Sequence, residues 1–152
     1  MSLNFADIAS KKMEEIERPP LPPVGTYRFA ITKLPENTTA NDGNWDLLTV
    51  NCRAVEALDD VDMDDYKGEV TGITQQVKFM FNKNDEAEFG KSEYRMRQFF
   101  EKHVGCANKG DTVGQMLNSS INGQFLGTIA WRADKNDGEI FHANISRTAP
   151  VD

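Results

Sequence analysis

The sequence has few of the residues that usually carry metal or redox chemistry. It contains only two cysteines, Cys52 and Cys106, and two histidines, His103 and His142. The cysteines form no Cys-x-x-Cys pair, and the histidines lie far apart in the chain, so we expect no zinc or other metal site. Two isolated cysteines favour a reduced, cytosolic setting over a framework of disulfides.

Long apolar runs and catalytic signatures are also missing. No stretch approaches the roughly 18 apolar residues that a membrane-spanning helix needs, and the charged N-terminal stretch does not resemble a signal peptide. No nucleophile-elbow sequence surrounds a serine. Gly90-Lys91-Ser92 resembles the end of a phosphate-binding loop, but Asp85 stands where that loop needs a glycine. We therefore expect a protein that is not an enzyme, holds no cofactor and does not enter a membrane.

The charge of the chain is unevenly distributed. The 152 residues suffice for one domain with a hydrophobic core, and the net charge is −7. A negative charge by itself opposes nucleic-acid binding. However, residues 56–69 contain seven acidic residues and one lysine, which leaves the rest of the chain nearly neutral. This acidic loop therefore leaves room for a basic groove elsewhere on the molecule.

The order of the expected elements indicates the fold. Alternating apolar and polar residues predict five strands, at 24–34, 45–58, 69–82, 123–133 and 138–147. Apolar residues at helical spacing predict a helix over 92–104, with Ser92 as its cap and Gly105 as its stop. Five strands with a helix after the third are the plan of the OB-fold, which binds oligonucleotides or oligosaccharides. We expect a mostly β, five-stranded OB-fold barrel whose open end is plugged by the aromatic face of the helix.

Segments outside the barrel predict three domain regions. Apolar spacing predicts an amphipathic helix over 4–17, with Asn4 as its cap and Leu3 and Ile8 as a hydrophobic staple. The prolines at 19–23 end this helix, which we expect to pack on the barrel or on a partner. The regions are thus an N-terminal helix with a proline-rich linker (1–23), an OB-fold domain (24–148) and a short tail (149–152).

Two further local patterns predict turns and a cap. Thr112 and Gln115 match a capping box, which predicts a short helix ending at Leu117. Asn136-Asp137-Gly138 predicts a hairpin turn between the last two strands.

The acidic loop has more than one reading. Asp60, Asp62 and Asp64 alternate like the first ligands of a calcium loop, but Asp65 and Thr71 stand where that loop needs glycine and glutamate. A solvated loop is the simplest interpretation. A weak cation site remains open, as does an acidic arm that competes with DNA for a basic groove or recruits partners.

One face of the expected barrel has the features of a single-strand binder, which combines a basic groove with aromatic rings on which bases stack. Outward strand positions and the two loops that OB-folds use for ligands supply most of the candidates. Phe79 and Phe81 have core parity, but a register shift of one residue would expose them. The candidate DNA-binding residues are Trp45, Arg53, Lys78, Phe79, Phe81, Arg132 and Lys135.

The two tryptophans have alternative roles. Trp45 follows the loop between the first two predicted strands, where it can stack on a base or close the end of the barrel. Trp131 has core parity on the fourth predicted strand, so we expect it to pack.

A pattern of structural residues resembles a known family. The matching motifs are Leu3-Asn4-Phe5, Pro22-Pro23-Val24-Gly25-Thr26-Tyr27, Leu47-Leu48-Thr49-Val50, Arg97-Gln98-Phe99-Phe100 with Gly105, and Asn122-Gly123-Gln124-Phe125-Leu126-Gly127. They resemble small tailed-phage single-stranded DNA-binding proteins. The resemblance implies an OB-fold that coats single-stranded DNA with little sequence preference during phage replication, recombination or repair in the host cell cytoplasm. It also implies phage replication or recombination proteins as partners.

The sequence departs from this family at its acidic residues. Many phage single-strand binders carry an acidic C-terminal tail for polymerase and helicase partners. Residues 148–152 have no such acidic run, and the acidic residues lie at 59–65 instead. An alternative hypothesis is therefore a phage structural or assembly protein that uses its barrel as a scaffold. A third is a barrel that binds carbohydrate or peptide through Trp45 and Trp131. The oligomeric state stays open, including a homo-oligomer.

Overall fold

A computed structural model describes residues 4–16, 20–40 and 42–151 of the protein. Within these residues six antiparallel strands form one sheet. The strands are β1 (Gly25–Ile31), β2 (Glu36–Ala40), β3 (Trp45–Ala57), β4 (Thr74–Asn82), β5 (Gln124–Ala133) and β6 (Phe141–Ala149). The helices are α1 (Phe5–Ala9), α2 (Glu86–Gln98), which continues as a π-helical turn (Phe99–Val104), and α3 (Val113–Ser119), with 3-10 turns at Met13–Glu15 and Val70–Gly72.

The long strand β3 organises the sheet. One of its edges pairs with β2 and then with β1, and the other edge pairs with β4. The sheet continues from β1 to β5 and from β5 to β6. In the described strands β4 and β6 approach each other but share no backbone ladder. The mostly β prediction is confirmed, but the six described strands form an open sheet where a five-stranded barrel was expected.

The first predicted strand ends early in the structure, and a strand that was not predicted follows it. β1 ends before residue 34, and β2 occupies part of the stretch that was expected to be a polar loop. Pro35 lies between them, and it has no N–H with which to continue a ladder. The threonines of β2 then pair with the start of β3, because β-branched residues fit a pleated surface. Gly43, with φ +87°, lies in the turn that joins these strands.

The helix α2 begins earlier than predicted. Asp85, not Ser92, is its N-cap, and the Asp85 carboxylate accepts a hydrogen bond from the N–H of Glu88 at 3.1 Å. The first turn was missed because most of its residues are polar and show no apolar spacing. Ser92 is buried, and its hydroxyl donates to the carbonyl of Met80 at 2.7 Å, which ties α2 to β4. The stop at Gly105, with φ +73°, is confirmed.

The capping box is confirmed, whereas the predicted hairpin is longer than expected. Thr112 caps α3 and exchanges hydrogen bonds with Gln115 at 2.9 and 3.2 Å. The predicted turn at 136–138 lies within a longer connection, 134–140, and β6 begins only at Phe141. β6 also reaches Ala149, one residue beyond the predicted end of the barrel domain.

The N-terminal helix is shorter than predicted. Asn4 caps it as expected, but α1 covers a single turn and none of the described residues before Pro20 is buried. Short helices gain most of their stability from packing, so an unpacked one does not extend. Leu3, Glu17 and Pro19, on which part of the prediction rests, lie outside the described residues. In the described part of the chain, no helix has the length and apolar character of a membrane span.

The core lies between the sheet and the helical segment 86–104. The ring centroids of Phe29 and Phe125 are 5.8 Å apart, and those of Phe125 and Phe99 are 4.9 Å apart. Gly127 makes this packing possible, because a Cβ there would come within 2.9 Å of the Phe29 ring. The aromatic face of the helical segment therefore packs on the open sheet, whereas it was expected to plug the open end of a barrel.

Candidate nucleic-acid interface

The open edge between β4 and β6 forms a cleft of about 770 Å³. Its cationic residues are Lys33, Lys78 and Arg132, and its amide side chains are Asn51, Gln75, Gln76 and Asn144. No carboxylate occurs among the described residues that line it, although the chain has a net charge of −7. The cleft therefore collects positive charge on an acidic protein.

The pairing of β3 with β4 places several of these side chains on one face. Asn51 is opposite Gln76, and Arg53 is opposite Thr74, four positions along from the pair that contains Lys78. Directly paired residues point to the same side of a sheet, so Arg53 and Lys78 share a face, as predicted. The amide of Gln76 donates to Asn51 Oδ1 at 3.0 Å, which orders the floor of the cleft.

Lys33 is a cleft residue that the strand pattern did not indicate. It follows β1, and the N–H of Thr32 donates to the carbonyl of Asn51 at 3.0 Å, which holds this segment against β3. The ammonium of Lys33 lies 2.6 Å from the carboxylate of Glu36, but an exposed pair of this kind is weak. The first predicted strand included Lys33, but β1 ends at Ile31, so only the tertiary contact assigns Lys33 to the cleft.

The end of β5 contributes the other side of the cleft. Arg132 lines it, and Lys135 is exposed in the connection 134–140 without lining the cleft. Asp134 is the nearest acidic neighbour in sequence, and His142 Nε2 lies 2.7 Å from its Oδ2. This hydrogen bond lowers the pKa of the Asp134 carboxyl. His142 therefore engages the acidic residue that is nearest to Arg132 in sequence.

Trp45 lies on the same side of the sheet as Lys78, at the start of β3. It pairs with Ala40 on one edge and with Asn82 on the other, and it is half-buried. Half burial fits both roles that the sequence leaves open, namely base stacking and closure of the end of the sheet. Trp45 does not line the cleft itself.

The other two aromatic candidates lie on the core side of β4. Phe79 contacts Phe99 with ring centroids 5.6 Å apart, and Phe81 contacts Phe89 at 5.4 Å. Phe81 is only 8% exposed. The register shift that would expose them does not occur, because burial of their apolar rings in the core stabilises the fold. Phe81 is therefore buried and offers no stacking surface, whereas Phe79 keeps partial exposure on the core side of β4.

The acidic loop is anchored away from the cleft. Asp60 accepts hydrogen bonds from the backbone N–H and the hydroxyl of Thr26, both at 2.9 Å, and these bonds lower the pKa of its carboxyl. Asp62 accepts from the N–H of Asp64 at 3.0 Å. Across residues 4–16, 20–40 and 42–151, no three His, Cys, Asp or Glu side chains gather as a metal site.

Comparison with known proteins does not assign the chain to a family. No protein-family model matches the chain, and no curated protein matches it. The function is therefore inferred from the cleft and its residues.

Proposed function

We propose that this protein binds single-stranded DNA in the cleft between β4 and β6 and on the adjoining face of β3, without catalysing a reaction. The observation that carries the proposal is the set of three cations with no carboxylate among the described lining residues. Lys33, Lys78 and Arg132 would hold phosphates, and the amides would bond to sugars or base edges. Arg53 extends the positive surface beyond the cleft.

The strand pairing supports a finer description of the fold as an OB-fold. When β1 and β2 are counted as two halves of one bent strand, the pairing matches that of a five-stranded, partly open Greek-key barrel. β3 and β4 then correspond to the second and third strands, whose face carries ligands in this fold. The turn before Trp45 and the connection that contains Lys135 correspond to the two ligand-binding loops.

The biological role follows from the family resemblance together with this site. We propose a phage protein that coats single strands during replication, recombination or repair in the host cytoplasm, alongside other replication or recombination proteins. Phosphate contacts and stacking are largely insensitive to sequence, so we expect little sequence preference.

Titration with fluorescent oligo-dT at several salt concentrations tests the proposal. We expect binding that weakens with salt, with a slope of log K against log salt near about −2 for three phosphate contacts. The readout is fluorescence anisotropy. An absence of binding even at low salt would sink the proposal and favour a structural or assembly protein instead.

Trp45 tests the stacking component separately. We expect Trp45→Ala to weaken oligo-dT binding about ten-fold, because stacking contributes roughly 1–3 kcal/mol per base. Trp45→Phe retains an aromatic ring and should bind within about three-fold of the wild type, since Phe also stacks on bases. Thermal melting by circular dichroism controls for folding. If folded Trp45→Ala binds as well as the wild type, Trp45 only closes the end of the sheet.

A further inference from the structure

A second cavity, of about 430 Å³, lies where the proline-rich linker meets the acidic loop. We call it the linker pocket. Its walls are Pro20, Leu21, Pro23, Val24, Tyr66 and Trp131, and its carboxylates belong to Asp60, Asp62 and Asp65. Trp131 and Arg132 are neighbours on β5 and point to opposite faces of the sheet. The linker pocket is therefore separate from the cleft between β4 and β6.

The aromatic wall of the linker pocket is held in place before any ligand arrives. The indole N–H of Trp131 donates to the carbonyl of Pro22 at 2.8 Å, and the hydroxyl of Tyr27 donates to the carbonyl of Pro23 at 2.6 Å. Proline fixes its own φ, so these two bonds hold a stiff segment. Trp131 nevertheless remains 48% exposed. The packing expected from its core parity is therefore wrong: the indole lies at the surface and bonds to the linker.

The acidic side of the linker pocket is also ordered. Asp60 is fixed by its two hydrogen bonds from Thr26, and no cation occurs among the described lining residues. Arg147 favours the ionised form of Asp60 from outside the pocket. Burial, with Tyr66 and Asp60 nearby, raises the pKa of Tyr27 to about 12. The three carboxylates, with no cation among the described lining residues, disfavour a polyanion such as DNA at this pocket.

We propose that the linker pocket docks an arginine side chain from a basic segment of a partner protein. A guanidinium is planar and weakly hydrated, so it stacks on an indole while its N–H groups donate to carboxylates. Trp131 supplies the indole, and Asp62 and Asp65 supply acceptors at the rim. Such a partner would bind one face of the β5 end while Arg132 on the other face remains available to DNA.

The probe is the peptide acetyl-Gly-Arg-Gly-Arg-Gly-amide, followed in ¹H–¹⁵N spectra of the full chain. The two indole N–H signals, assigned with Trp131→Phe, report on Trp45 and Trp131 separately. We expect the peptide to shift the Trp131 signal in a saturable manner, and the same peptide with citrulline in place of arginine to leave it unmoved.

Two double variants that change the charge equally distinguish binding in the linker pocket from nonspecific electrostatic attraction to the acidic loop. Asp62→Asn with Asp65→Asn alters the pocket lining, whereas Asp59→Asn with Asp64→Asn alters the same loop outside it. We expect the first pair to raise the peptide dissociation constant about five-fold or more, and the second to change it less than about two-fold, since exposed charges interact weakly. Equal weakening by both pairs, or an unmoved Trp131 signal, overturns the proposal.

Oligo-dT added to a parallel sample keeps the two proposals distinguishable. A Trp45 response without a peptide response at Trp131 rejects the arginine site and leaves DNA binding intact. A peptide response at Trp131 with no oligo-dT response anywhere in the spectrum supports the arginine site and rejects DNA binding. Sedimentation of the wild type identifies self-association; a dimer that the peptide dissociates would assign the pocket to a second copy and overturn the partner proposal.

Discussion

Replacing Lys78 and Arg132 together with alanine is expected to weaken oligo-dT binding about 100-fold at low salt. Both side chains line the cleft from opposite sides, Lys78 from β4 and Arg132 from the end of β5. A hydrogen bond to a charged group contributes about 1.5–3 kcal/mol, so the loss of two such contacts is worth roughly 3 kcal/mol. Fluorescence anisotropy with labelled oligo-dT measures the change.

The control removes two positive charges elsewhere. Lys91 lies on the exposed surface of α2, and Lys109 lines a different groove, so Lys91→Ala with Lys109→Ala leaves the cleft intact. We expect this control to bind within about three-fold of the wild type, because distant exposed charges are screened by salt. The slope of log K against log salt should decrease in magnitude by about 1.4 in the cleft variant only. Equal loss in both variants would mean that net charge, not the cleft, determines binding.

Replacing Phe125 with alanine is expected to destabilise the fold by about 3–5 kcal/mol. Phe125 is fully buried on β5, stacked on Phe29 and in edge contact with Phe99. The substitution removes a ring that joins the sheet to the helical segment and leaves a cavity. Because small domains unfold with a total free energy of only about 5–15 kcal/mol, this loss is a large fraction of the whole. Chemical denaturation followed by circular dichroism measures it.

An exposed phenylalanine provides the matched control for Phe125→Ala. Phe5 on α1 is 76% exposed, so Phe5→Ala should change the free energy of unfolding by less than about 0.5 kcal/mol. A cost below about 1 kcal/mol for Phe125→Ala would contradict the core described above, since buried large-to-small substitutions cost several times more. An equal cost for the two variants would show that the N-terminal segment packs in solution.

Local patterns in the sequence were reliable where one short-range interaction decides the structure. The Thr112 cap and the Gly105 stop depend on neighbouring backbone groups, and both were identified. Alternation placed Arg53 and Lys78 outward and Phe79 inward, because opposite faces of one sheet meet different surroundings. The start of α2 was wrong, since a polar first turn carries no periodic signal and Asp85 competes with Ser92 as a cap.

The positions of Lys33 and Trp131 depend on long-range contacts that local sequence patterns do not reveal. Lys33 joins the cleft through a hydrogen bond between Thr32 and Asn51, which are far apart in the chain. Trp131 was expected to pack because of its core parity, but it is half exposed and bonds to the proline-rich linker. The position of the linker depends on how the chain folds back to the end of β5.

The sequence by itself determined a mostly β protein that has a helical segment with an aromatic face and has its acidic residues concentrated in one loop. Those properties follow from residue periodicity and composition, which act over a few neighbouring positions. Only the tertiary structure decided that the sheet stays open between β4 and β6 and that the cations of three separate segments meet there. The physical reason is that closure of a sheet depends on pairing between strands from distant parts of the chain. A local sequence pattern does not determine which distant strands pair.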